Sequence, residues 1–172
     1  MNAQSPSGIY AAERPLDELR TPELLVVAVL RLWAAPLREP DRLHPHWHNG
    51  LLAADVGEDG LMAFDRLMRV VLGTARQPLD VRCPRCPRLG EDEARLLGTV
   101  SLLQQGRHAE AGVILDGWLP PTAVRLALPP AVGLAMALAE AGLTLTGHPP
   151  ATLSPAPGVV VPQADRGMRL TH

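Results

Sequence analysis

Apolar residues recur almost without a break in "PELLVVAVLRLWAAP", residues 22–36, where the one charge inside the apolar run is Arg31. A helix apolar around most of its circumference is a buried one, so this segment predicts a central helix. Its start is well marked: Thr21 serves as N-cap, Pro22 takes the first helical position and Glu23 lies near the positive helix end. Pro36 and then Pro40 predict its end near Ala35, because proline removes a donor and its ring clashes with the preceding turn.

Helical spacing recurs downstream. "GLLAADVG" predicts a short helix over about 48–55, closed by Gly57. "EDGLMAFDRLMRVVLG", residues 58–73, places Leu61, Phe64, Leu67, Met68, Val71 and Leu72 on one face, with Asp65, Arg66 and Arg69 elsewhere. "GEDEARLLGTVSLLQQG" opens with acids at a helix N-terminus and ends on Gly106; its core face is Leu96, Leu97, Val100 and Leu103. "RHAEAGVILDGWL" predicts a shorter helix carrying Val113, Ile114 and Trp118, and "PPTAVRLAL" and "PPAVGLAMALAEAGL" predict two more, each announced by a proline pair. No stretch alternates at period two for long enough to demand a sheet.

The expected fold class is therefore all-α, a compact bundle of about six short helices. Residues 1–14 read as a disordered leader, 15–143 as a single helical domain, and 144–172 as a flexible tail rich in Pro and Gly. A chain of 172 residues fits one domain. Apolar residues make up 47% and aromatics only 3%, so the core must be aliphatic, which favours helix packing over a β-sandwich.

All 16 basic residues are arginine, and the net charge of -2 gives no global attraction to nucleic acid or anionic membrane. The N-terminus lacks the basic and apolar regions of a secretory signal, and the run "LLVVAVL" is far shorter than the roughly 20 residues that cross a bilayer. The expected location is the cytoplasm, with no membrane contact.

Two motifs bear on chemistry. "LHPHWHNG", residues 43–50, sets His44, His46 and His48 on alternate positions, and "VRCPRCPRLG", residues 81–90, holds the only two cysteines, Cys83 and Cys86. Thiolates two residues apart in a tight turn can reach one tetrahedral ion, and Arg82 and Arg85 ease thiolate formation. Alternate residues of an extended segment project together, so histidines could complete the site. The expected metal ligands are Cys83, Cys86, His46 and His48 around a structural zinc, with His44 and His108 as reserves. "CPRC" is similar to one knuckle of zinc-ribbon proteins and to the C-P-x-C of glutaredoxin-like dithiols. The second resemblance implies a redox or metal-handling use of Cys83 and Cys86, although no strand pattern precedes them.

The arginines at 66, 69, 76, 82, 85, 88 and 95 form the densest basic stretch, but acids interleave with them. A nucleic-acid reading also notes a helix-turn-helix outline over 91–119, whose second helix offers few side chains suited to base edges. Neither a phosphate-binding glycine loop nor a G-x-S-x-G nucleophile elbow occurs, so no motif argues for catalysis. The expectation from sequence is a zinc-tied helical module that regulates or assists a protein partner. A CxxC dithiol protein and an Arg-rich nucleic-acid-binding regulator are the alternatives.

Overall fold

A computed structural model describes residues 9–147. Six α-helices follow a single 3-10 turn at Leu16–Glu18: α1 Thr21–Arg38, α2 His48–Ala53, α3 Glu58–Thr74, α4 Glu91–Gln104, α5 His108–Trp118 and α6 Pro121–Glu140. The all-α bundle expected from the sequence is the observed architecture. Among the described residues the one β-type contact is an isolated antiparallel bridge between Pro15 and Arg88.

α1 starts one residue before its sequence signal, with Arg20 rather than Thr21 as N-cap, so that Pro22 is the second helical residue. The Glu23 carboxylate turns back to accept the Arg20 N–H at 2.6 Å, satisfying a donor that the first turn leaves free. α1 runs past its predicted end. Pro36 is exposed in the last turn, where its missing N–H costs the helix one backbone hydrogen bond, and the helix continues to Arg38.

The two helices expected at residues 120–143 are one. α6 passes straight through Pro129 and Pro130. Its buried stripe, Ala123, Ala127, Ala131 and Leu134, stays in phase on both sides of the prolines, and Pro129 itself faces solvent. Packing of that stripe outweighs two missing backbone bonds.

α4 is the most enclosed element. Beyond the predicted Leu96, Leu97, Val100 and Leu103, it also buries Asp92, Glu93, Thr99, Ser101 and Leu102. α6 packs along α3 and against α4 and α5. Small residues bring α3 and α6 close together: a methyl group at Gly60 would lie 2.8 Å from the Ala137 Cβ, and one at Gly133 would lie 3.3 Å from the Ala63 Cβ. Two predicted core positions face outward instead, Leu72 on α3 and Val113 on α5.

The packed unit reaches beyond residues 15–143 at both ends. Tyr10 and Leu145 are both buried. The Tyr10 hydroxyl donates to Glu23 Oε1 at 2.7 Å and accepts the Gly147 N–H at 2.9 Å. Leu145 is held on both backbone groups, its N–H donating to Gln104 Oε1 and its carbonyl accepting from the Ser101 hydroxyl. The readings made for residues 1–8 and 148–172 lie outside the described residues.

Candidate functional site

The segment from Ala75 to Gly90 joins α3 to α4 without regular structure, so its backbone polar groups must find partners elsewhere. Four of those groups find their partners in one buried ion pair. Arg31, the lone charge in the apolar run of α1, is 2% exposed on its side chain, and Glu93 of α4 is 0% exposed. Arg31 Nε donates to Glu93 Oε1 at 2.8 Å and Arg31 Nη2 donates to Glu93 Oε2 at 2.9 Å, a two-pronged contact. The remaining guanidinium donors reach the connecting segment, Nη1 to the Cys86 carbonyl at 2.7 Å and Nη2 to the Arg88 carbonyl at 2.8 Å.

Glu93 completes the clamp from the other side. Its oxygens also accept the Arg82 N–H at 2.9 Å and the Gly90 N–H at 2.8 Å. The clamp needs a close backbone approach at Gly90, where a Cβ would stand 2.5 Å from the Asp80 carbonyl oxygen. Only glycine fits there. The outer edge of the segment is tied to residues 13–16, with the Glu13 N–H donating to Leu89 O and the Leu16 N–H donating to Pro87 O.

The clamp presents "CPRCP" as a tight turn in which the Cys86 N–H donates to the Cys83 carbonyl at 3.0 Å. Both cysteines are free; Cys83 is exposed and Cys86 half-buried. The turn forms one wall of a cleft of about 430 Å³, whose other walls are the end of α1 and the loop after it. Ala35 and the half-buried Leu32 make the floor, with the apolar rim completed by Leu43, Pro45 and Pro84. Arg38, Arg42 and Arg85 line the same cleft, accompanied by Glu39.

The expected zinc site does not assemble. Among the described residues no group of three or more His, Cys, Asp or Glu side chains is placed to hold a metal ion. The cause is local. The backbone turns helical at Trp47 (φ -58°, ψ -30°), and His48 is the first residue of α2, so the alternate projection of His44, His46 and His48 is lost. Trp47 stacks on the His48 ring with centroids 3.8 Å apart and also packs against Phe64 of α3 at 5.0 Å. The His46 and His48 rings are 6.3 Å apart and tilted. Neither joins Cys83 or Cys86 in a site, and His108, at the start of α5, does not substitute.

His44, a reserve in the sequence reading, is the histidine that lines the cleft with Cys83. Its Nε2 lies 2.9 Å from the Glu39 carbonyl oxygen, so the ring is a loop tie, with that nitrogen protonated. The zinc-tied module is thereby overturned, because no described residue completes a coordination shell around the two thiols. An ion pair does the tying that was expected of a metal.

The arginine-rich stretch is partly neutralised. Arg69 pairs with Asp65, Arg95 with Glu91 and Asp92, and Arg82 with Glu13, while Arg76 and Arg88 donate to the Leu119 and Glu13 carbonyls. Arg82 Nε also lies 3.1 Å from Asp80 Oδ1, out of line for a hydrogen bond. In the cleft the pairing is again partial. Arg42 pairs with Glu39 at 2.7 Å, whereas Arg38 and Arg85 make no ion pair among the described residues. α1 also ends here, and a helix C-terminus carries partial negative charge that Arg38 offsets.

Reading the sequence missed the clamp. Its signal was present in Arg31, since an arginine inside a buried helix must find a counter-charge. No protein-family model matches the chain, and comparison with curated proteins and with solved structures finds no match.

Proposed function

We propose that the protein is a binding module whose cleft, between the end of α1 and the CPRCP turn, takes an anionic group carried on an apolar body. One observation carries the reading: an apolar floor is ringed by three arginines, of which Arg38 and Arg85 have no carboxylate partner among the described residues. Guanidinium groups bind carboxylates and related anions through paired, charge-assisted hydrogen bonds. The floor of Leu32 and Ala35, with Leu43 on the rim, supplies the non-directional part of the affinity. The CPRCP turn is preformed by the Arg31–Glu93 clamp, so a ligand meets a wall already ordered, which lowers the cost of binding.

Titration calorimetry with octanoate, and with octylammonium as the same chain of opposite charge, tests this reading. Octanoate binds and octylammonium does not. A full-length Arg38→Ala/Arg85→Ala protein loses about tenfold or more in affinity, as expected for a lost charge-assisted contact of about 1.5–3 kcal/mol. Equal binding of both amphiphiles, or octanoate binding unchanged in the double variant, contradicts the reading.

A further inference from the structure

We infer that the occupant of the cleft is an acidic, aliphatic peptide segment of a partner protein. The inference rests on the proposed anion-and-apolar reading of the same cleft and narrows it to one class of ligand.

Charge complementarity is the first support. Three arginines against Glu39 leave two positive charges in excess around this cleft, on a chain whose net charge is -2. The excess is local, which suits a segment bearing two or more carboxylates rather than an extended polyanion. A nucleic acid or an anionic bilayer would draw on a broad basic face, and the other arginines of the stretch are mostly paired with acids or donate to carbonyls.

The backbone at the cleft is not built for a compact phosphate. Phosphate sites converge N–H groups at a helix N-terminus or a nest of successive amides. This cleft sits at the C-terminal end of α1, and two of its lining residues, Pro45 and Pro84, have no N–H to give. Its cationic contacts come from long side chains at the rim, which can follow carboxylates spaced along a peptide.

Leu43 is the second support. The residue is fully exposed, at 103% of the reference value, at the rim of the cleft. A small anion would leave it in water. An aliphatic side chain set between two carboxylates would cover Leu43 while the carboxylates met Arg38 and Arg85.

A random peptide display library, selected in parallel on the full chain and on its Arg38→Glu/Arg85→Glu form, tests the inference. Circular dichroism and melting first establish that the variant keeps the wild-type fold; both arginines are exposed. Leu43→Ser serves as a second, uncharged variant. The wild-type protein enriches sequences with two or more Asp or Glu flanking Leu, Ile, Val or Met, and octanoate elutes them. The charge-reversed protein does not enrich them, and a synthetic peptide of the enriched type binds at least tenfold more weakly to either variant. No enrichment, enrichment of sequences without carboxylates, or equal enrichment on both proteins overturns the inference. So does preferential retention on phosphatidylserine vesicles, or competition by inorganic phosphate at lower concentration than by the peptide. Octanoate binding to the wild-type protein without acidic peptides removes the peptide inference alone; a wild-type protein that binds no octanoate removes the cleft reading with it.

Discussion

Arg31 of α1 and Glu93 of α4 meet in the protein interior through two parallel hydrogen bonds of 2.8 and 2.9 Å. Between them they also hold the carbonyls of Cys86 and Arg88 and the N–H groups of Arg82 and Gly90. Breaking a buried pair by removing one partner leaves an uncompensated charge, so Arg31→Met costs about 3–5 kcal/mol. Replacing both partners often restores stability where an ion pair stands alone. Here Arg31→Met/Glu93→Leu stays destabilised, because four backbone groups lose their partners at about 1–3 kcal/mol each when left buried. Urea unfolding of the single and double variants measures this; a double variant as stable as wild type contradicts the clamp.

Tyr10 is the chain's single tyrosine, which gives a clean alkaline probe. Burial first, then its hydrogen bond to the Glu23 carboxylate, raises its pKa above the ordinary tyrosine value. The folded protein therefore keeps the phenolic proton to higher pH than the unfolded chain does. This contribution is present in full below about pH 10 and is lost as pH rises above it, by at most about 1.4 kcal/mol per pH unit. Tyr10→Phe abolishes that alkaline slope. It also lowers stability at neutral pH by about 1–3 kcal/mol, since Gly147 loses an acceptor and Glu23 a donor. Urea midpoints across the alkaline range, followed with tyrosinate absorbance, test both parts.

The cysteine turn needs no metal to keep its shape. Prolonged treatment with a chelator leaves the melting temperature unchanged, and Cys83→Ser or His46→Ala shifts stability by no more than about 0.5 kcal/mol, as for ordinary exposed positions. A structural zinc site would behave very differently, since such ions contribute about 10–16 kcal/mol of binding free energy to folding. Calorimetric melting before and after chelation distinguishes the two.

Two helix glycines have opposite expectations. At Gly60 a methyl group would lie 2.5 Å from the Val56 Cγ1 and 2.8 Å from the Ala137 Cβ. Overpacking the α3–α6 contact costs about 1–3 kcal/mol, which exceeds the gain of about 1 kcal/mol in helix propensity, so Gly60→Ala destabilises. At Gly112 in α5 a methyl group meets nothing within 4 Å, and Gly112→Ala stabilises by up to about 1 kcal/mol. Thermal unfolding of the pair gives the two signs directly.

Local periodicity was legible and long-range pairing was not. The face of Leu61, Phe64, Leu67, Met68 and Val71 on α3, and that of Leu96, Leu97, Val100 and Leu103 on α4, could be read from spacing because a helix fixes which positions share a side. Proline signals misled at Pro36 and at Pro129–Pro130, where the rings face outward or lie near a helix end and packing keeps the helix in phase. The histidine run failed for a related reason: period-two projection needs an extended chain, and Trp47 anchors on Phe64 with helical backbone angles. Tyr10 and Leu145 belong to the core through contacts with residues far along the chain, which no local pattern reveals. The same holds for Glu93, whose place at the start of α4 reads as an ordinary capping acid until Arg31 is seen opposite it.

Cys83 lines the cleft and Cys86 does not, so alkylation by iodoacetamide reports occupancy with an internal control. With saturating octanoate, the account predicts that Cys83 alkylates several-fold more slowly while Cys86 keeps its rate. Equal slowing at both thiols, or no protection of Cys83 by bound octanoate, would contradict the placement of a ligand between α1 and the CPRCP turn.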